Sequence, residues 1–246
     1  MNAKMSKHAT ISSEIRQTLE QSSVPNLANR LLRRGFRNVV PHGIAPIGVS
    51  QPNLVGPAYT LRFIPAREDL DSMENYALET NLHRIAVEEC PAGAVLVIDA
   101  FDCTEASAMG DMMAHRLKYN NVAGVITNGG YRDVAGILET GLPCFHRQAA
   151  APATPIKLHP VSINEPVGIG GVAVYPGDIV VGDNSGLVVI PQDLVLDITR
   201  EAAHDIEYES WAAEQIDQGR TLFEVFPATP DSRREFDQYK KNNSTY

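Results

Sequence analysis

Two short segments of the chain combine residue types able to bind and polarise a small anion: Gly110-Asp111-Met112-Met113 and Gly129-Gly130-Tyr131-Arg132-Asp133. The first opens a stretch with helical spacing, and the unpaired N–H groups of a helix's first turn attract a carboxylate. In the second, Arg132 can grip a carboxylate or keto-acid oxygen in bidentate fashion. Asp133 supplies the hard oxygen that Mg²⁺ accepts alongside several waters. The paired glycines let backbone approach a ligand closely. Each segment also has a plainer interpretation. Gly110 can be a simple turn with Asp111 balancing the helix dipole, and Arg132-Asp133 can be a surface pair at a helix start. Function gains weight only if the two loops converge.

The flanking pattern predicts that they do. AVLVIDA (94–100) and GVITNGG (124–130) are near-continuous apolar runs, with MGDMMAHRLKYNN between them as a helix opening at a glycine. Strand, loop, helix and strand make a βαβ unit whose strands are covered on both faces. In such sheets ligands sit beyond the carboxyl ends of the strands.

Around this centre, VGPAYTLRFIPA (55–66) reads as a strand, 67–89 as charged and helical, and LPCFHR (142–147) as a third strand. Residues 160–191 form short β runs broken by glycine, with a hairpin turn at 183–186. Residues 10–37 read as helix divided at Pro25, with Thr10, Ser12 and Ser13 as caps. Helix returns over 192–219, and the tail, 226–246, is expected to drape over a neighbour or be disordered. The expectation is one α/β domain over 1–246, with a core at about 38–191 and helical arms at 10–37 and 192–225.

Composition narrows the classes. The chain has 246 residues, 43% hydrophobic and 21% charged, within the range of ordinary globular proteins. A net charge of −9 argues against gripping a phosphate backbone. Arg30, Arg33, Arg34 and Arg37 read as one solvated helix face. No run approaches the length of a membrane-spanning helix. The first residues lack the apolar stretch of a signal peptide, so a cytoplasmic location is expected.

Other chemistry finds less support. Cys90, Cys103 and Cys144 have no CxxC spacing and read as reduced, mostly buried thiols. No lysine lies in the two loops, which disfavours a Schiff base. His146 and His159 lack metal spacing with one another, and His115 reads as structural or exposed. Asp99 and Asp102 could order metal waters or simply cap a strand end.

GDMMAHRLKYNNVAGVITNGGYRD, together with VGPAYT at 55–60 and GDNSGLVVIP at 182–191, resembles the RraA-like family. That family includes class II aldolases of 4-hydroxy-4-methyl-2-oxoglutarate (HMG) and 4-carboxy-4-hydroxy-2-oxoadipate. The resemblance implies an αββα-type sandwich assembled as a homotrimer or homohexamer, with active sites between subunits. It implies pyruvate held by the amides of Gly110, Asp111, Met112 and Met113, with Arg132 as the arginine and Asp133 as the metal ligand. The resemblance also implies that the C-terminal helix lends an acid to the neighbouring site; Glu209 fits this best, with Glu207 as competitor and a solvated charge as the plainer interpretation.

Departures stand beside the match. Gly136 occupies a position that is acidic in the aldolases, with Glu139 one turn away. Pro25-Asn26 stands where a Ser-Asp pair is usual, and the loop at 38–53 is unlike the common pattern.

The resemblance therefore implies a Mg²⁺- or Mn²⁺-dependent lyase acting on a pyruvyl-containing 2-oxo acid through an enolate, with oxaloacetate decarboxylation as a side activity. The rival is a non-catalytic regulator that binds a ribonuclease or helicase. Retention of Asp133 favours the enzyme.

Overall fold

The two apolar runs pair in parallel at the centre of a mixed sheet. The protein is described by a computed structural model over residues 11–49 and 51–243; Thr10 lies outside these. The strands are β1 (Ala45–Pro46), β2 (Leu54–Pro65), β3 (Val95–Asp99), β4 (Ser107–Met109), β5 (Gly124–Thr127), β6 (Gly130–Tyr131) and β7 (Cys144–His146). They continue with β8 (Gln148–Ala149), β9 (Leu158–Ile163), β10 (Val167–Ile169), β11 (Val172–Val174), β12 (Ile179–Asp183) and β13 (Gly186–Ile190). The helices are α1 (Ser13–Gln21), α2 (Val24–Arg33), α3 (Met73–Tyr76), α4 (Leu82–Glu89) and α5 (Asp111–Tyr119). After them come α6 (Val134–Glu139), α7 (Val195–Asp217), α8 (Leu222–Val225) and α9 (Pro230–Asn243).

The main sheet runs β1-β7-β5-β3-β2-β12-β13, with β9 also on β2. Pairings among β7, β5, β3 and β2 are parallel; those of β12 with β2 and β13 are antiparallel. Alternation along the strands sets the layers. Leu96 and Ile98 of β3 pack with Ala86 of α4, Leu117 of α5 and Ile137 of α6. Val95 and Val97, on the other face, meet Val180, Leu187 and Val189 of the β12–β13 hairpin. The outer side of that hairpin, Ile179, Val181 and Val188, rests on Leu19, Leu27, Leu31 and Ile198 of α1, α2 and α7. The one main sheet folds back on itself, so the layers are helix, strand, strand, helix: the αββα arrangement, with Asp183 opposite Gly186 at the expected turn.

The arms depart from expectation in two places. Ser12 caps α1, accepting from the Ile15 N–H at 3.2 Å, and Pro25 sits in the first turn of α2. The basic face of α2, however, is not simply solvated: Arg30 pairs with Asp205, and Arg34 with Glu201, both on α7. The tail is not irregular over 230–243. It forms α9, whose Phe236 is buried against Tyr208 and Trp211 with ring centroids 5.4 and 5.7 Å apart. Aromatic packing outweighs the polar composition that suggested an unstructured end.

His83 on α4 is fully buried, edge-on to Phe63 at 5.1 Å. Burial pushes its imidazole down to about 4, against a weaker opposing contact from the Ala108 backbone. An unfolded chain takes up this proton near pH 6.5. Between about pH 6.5 and 4 the unfolded state therefore binds more protons, and stability falls as pH falls through that window. The expected loss is on the order of 3 kcal/mol. Urea unfolding of wild type and His83→Leu across this range checks it: the variant's curve should be flatter, and equal slopes would contradict the assignment.

Candidate active site

A second, smaller sheet brings the two motif loops together. β4, β6 and β8 pair in parallel, with Met109 opposite Tyr131. The Arg132 N–H donates to the Met109 carbonyl at 3.0 Å. Gly110 and Arg132 thus leave adjacent strands side by side. Tyr131 anchors this point, fully buried and stacked on His146 at 5.3 Å, its phenol pushed well above the ordinary range by burial.

Gly110 caps α5 in an extended conformation, and its lack of a side chain lets Arg132 and Asp133 approach closely. A Cβ there would lie 2.9 Å from Arg132 Nε and 3.1 Å from Asp133 Oδ2. Arg132 and Asp133 form an ion pair at 3.3 Å, each side chain about half exposed. Asp133 precedes α6 with φ 54° and ψ 39°, left-handed for a non-glycine residue, and its carboxylate makes no capping bond. Such a conformation costs about 1–3 kcal/mol and persists where surroundings impose it. It leaves the carboxylate available beside Gly110.

Asp111 contributes more than an amide. Its Oδ1 accepts from the Met112 N–H at 2.8 Å, so one of the four expected anion-binding amides is already engaged. Its Oδ2 lies 2.9 Å from where a Cβ on Gly136 would be. The room that an acidic side chain at 136 would need is thus occupied by the Asp111 carboxylate. Glu139 is exposed and lines no part of the cleft described below.

The paired glycines serve packing rather than ligand approach. A Cβ on Gly129 would meet Ala100 at 2.7 Å, and one on Gly130 would meet Ala150 at 2.5 Å. Asp99 accepts from Phe101, Asn128 and Gly168, and Asp102 pairs with Arg147. Both therefore act as strand-end braces. Glu209 accepts from Asn26 Nδ2 at 2.9 Å and lines a separate cleft between α2 and α7. Within one chain it does not join Arg132. Burial pushes the Cys90 and Cys144 thiols up to about 12, leaving them poor nucleophiles.

Gly110, Met112, Met113 and Arg132 line a cleft of 310 Å³ together with Tyr76, Arg84, Val87, Glu88, Arg116 and Thr154. Arg116 lies on α5, the helix that the sequence already marked; the other five were not singled out there. Tyr76 comes from α3, Arg84, Val87 and Glu88 from α4, and Thr154 from a distant turn, where no spacing marks them. Among the described residues no three His, Cys, Asp or Glu side chains converge as metal ligands. Asp133 and Asp111 at the mouths of α6 and α5 are instead the one-or-two-carboxylate set that suits Mg²⁺, which retains waters and takes substrate oxygens.

Fold and loops together define an α/β scaffold in which the start of a helix, a guanidinium and the Asp111 and Asp133 carboxylates lie at one corner, and comparison with known proteins gives its family. Residues 24–189 match the RraA-like family, described as Aldolase/RraA, and the chain belongs to that family. A *Halalkalibacterium halodurans* protein provisionally named 4-hydroxy-4-methyl-2-oxoglutarate aldolase is 39% identical over 108 residues, 44% of this chain and 50% of that protein. Protein DlpA of *Legionella pneumophila* is 26% identical over 193 residues, 74% of this chain but only 30% of its own length. The matched stretches thus span half or less of these two relatives. Among solved structures, *Streptomyces coelicolor* RraAS2, described as an unusual member of the RNase ES inhibitor RraA family, superposes with TM-score 0.72. It is 29% identical, and the match covers 85% of this chain and 98% of that one. An uncharacterized *Pseudomonas syringae* protein shares the fold with TM-score 0.77 at 24% identity, over 92% of this chain and 98% of its own. No helix among the described residues is long and apolar enough to cross a membrane.

Proposed function

We propose that the chain is a divalent-metal-dependent carbon–carbon lyase acting on a pyruvyl-containing 2-oxo acid. The observation that carries this is the β4–β6 pairing, which sets Gly110 beside Arg132 and Asp133. The open first-turn amides of α5 hold the substrate carboxylate. The Arg132 guanidinium donates to the 2-keto oxygen. When the C3–C4 bond breaks, its electron pair moves toward that oxygen, and Arg132 stabilises the charge as it develops. The hydroxyl proton passes to a general base, for which Glu209 of a neighbouring copy in a trimer or hexamer is the candidate. Protonation of the enolate at C3 completes pyruvate. Asp133 is the residue to hold Mg²⁺ or Mn²⁺, with Asp111 nearby, and the bound ion supplies Lewis-acid polarisation of the same oxygens. Oxaloacetate loses CO₂ through the same enolate.

The aldolase name of the *H. halodurans* relative supports this. The RNase-inhibitor description of the *S. coelicolor* structure supports a second reading, a non-catalytic regulator, and the missing acid at Gly136 is in keeping with it. Pyruvate release from HMG and oxaloacetate, with and without Mg²⁺ or Mn²⁺, separates them, because a pure binder releases none.

A further inference from the structure

The cleft concentrates positive charge in an acidic chain. Three guanidinium groups line it, Arg84, Arg116 and Arg132, against the single carboxylate of Glu88. Arg116 is held by Glu88, with Nε and Nη2 at 2.8 and 2.6 Å, so this pair is internally balanced. Arg132 is assigned above to the pyruvyl end. That leaves Arg84. Its Nη1 donates to the Ala77 carbonyl at the end of α3, which orients the group without neutralising it. Among the described residues no carboxylate lies within ion-pair distance of it.

Tyr76 ties Arg84 to Arg132. Its phenol hydrogen-bonds Thr154, whose hydroxyl in turn donates to the Ser107 carbonyl at 2.7 Å. Burial pushes the Tyr76 phenol up, while the charges of Arg132 and Arg84 both pull it down, so both guanidiniums act on one partly buried hydroxyl. The volume of 310 Å³ falls at the lower end for ligand pockets, which run to about 1,000 Å³. It still has room beyond a three-carbon acid.

Resting on the lyase assignment of this cleft, we propose that Arg84 is its specificity-determining residue, pairing with a second carboxylate at the far end of the substrate. A planar guanidinium already fixed through one nitrogen keeps its other donors for a carboxylate. HMG, already proposed above, carries such a second carboxylate; the inference is that Arg84 is the group that meets it and so discriminates against mono-acid analogues.

Calorimetric titration in Mg²⁺ with 2-oxoglutarate and with 2-oxopentanoate tests this. The two acids share the pyruvyl end and length, and differ by a terminal carboxylate against a methyl group. The unsubstituted chain should bind 2-oxoglutarate about tenfold or more tightly. Arg84→Gln should erase that preference by weakening 2-oxoglutarate alone, and Arg84→Lys should keep part of it. Equal affinities in wild type, equal weakening of both acids by Arg84→Gln, or loss of preference in Arg116→Gln instead would overturn the assignment of Arg84. Those outcomes leave the lyase proposal standing wherever pyruvate is still released. Failure of both acids to bind would overturn the two together.

Discussion

Arg132→Met is expected to lower kcat/KM for metal-dependent pyruvate release by roughly 10²–10³-fold, the loss typical when a donor to a developing oxyanion is removed. The thermal midpoint should barely move. The backbone of Arg132 is fixed by its bond to Met109 and by buried Tyr131, neither of which needs the guanidinium. The side chain is half exposed and its one ion-pair partner, Asp133, is equally open to water, so truncation strands no buried charge. Steady-state kinetics beside a melting curve check this. A loss under about threefold would contradict the assigned role, as would a loss that tracks unfolding.

Gly110→Ala should cost about 10- to 100-fold in kcat/KM, because misplacement of a catalytic group by a fraction of an ångström to an ångström has effects of this size. The backbone at Gly110, φ −123° and ψ −179°, suits alanine without strain. The conformational change to the helix cap is worth at most about 1 kcal/mol. What alanine cannot escape is crowding: its methyl would sit 2.9 Å from Arg132 Nε and 3.1 Å from Asp133 Oδ2. Arg132 is the more flexible of the two and should swing away, parting the ion pair while the fold stays intact. Full activity in a folded Gly110→Ala protein would mean that the close approach of these loops has no role in the chemistry.

The sequence made the scaffold legible where apolar runs are long enough to carry a pattern. Residues 95–99 and 124–127 are uninterrupted because helices cover one face and the β12–β13 hairpin the other, and α5 opens at a glycine as read. The three-stranded sheet was not visible. Strands of two or three residues, such as Gly130–Tyr131, have no period to detect, and GVITNGG reads as one strand although β5 ends at Thr127. The glycines at 129 and 130 were read for a ligand, yet the atoms they admit are Ala100 and Ala150, contacts between distant segments that spacing cannot reveal. The same holds for Arg84 and Tyr76. Residues 67–89 looked merely charged, and only the packing of α4 beside α5 places them over the cleft. At the other end, α9 hides its purpose in Phe236, a lone aromatic in a polar helix whose partners Tyr208 and Trp211 lie on α7.

The Asp111 carboxylate is the most instructive case. The chain lacks the acid that the resemblance calls for at 136, and the sequence alone presents this as a loss. Folded, Gly136 leaves the space into which Asp111 projects, so a carboxylate from α5 stands at the position that a side chain on α6 would fill. A glycine and an aspartate 25 positions apart can be recognised as one arrangement only in three dimensions.

The central claim is that Asp133 anchors a metal-dependent lyase site, and pyruvate release is its most direct test. Wild type and Asp133→Asn would each be given HMG and oxaloacetate in Mg²⁺, in Mn²⁺ and after chelation, with pyruvate measured continuously. Asparagine keeps the shape and the capacity for a left-handed backbone but removes the anionic ligand. The expected result is release by wild type that requires metal and is lost with chelation and in Asp133→Asn. Release that persists in Asp133→Asn or without metal would contradict the claim, and so would no release from either compound by folded wild-type protein.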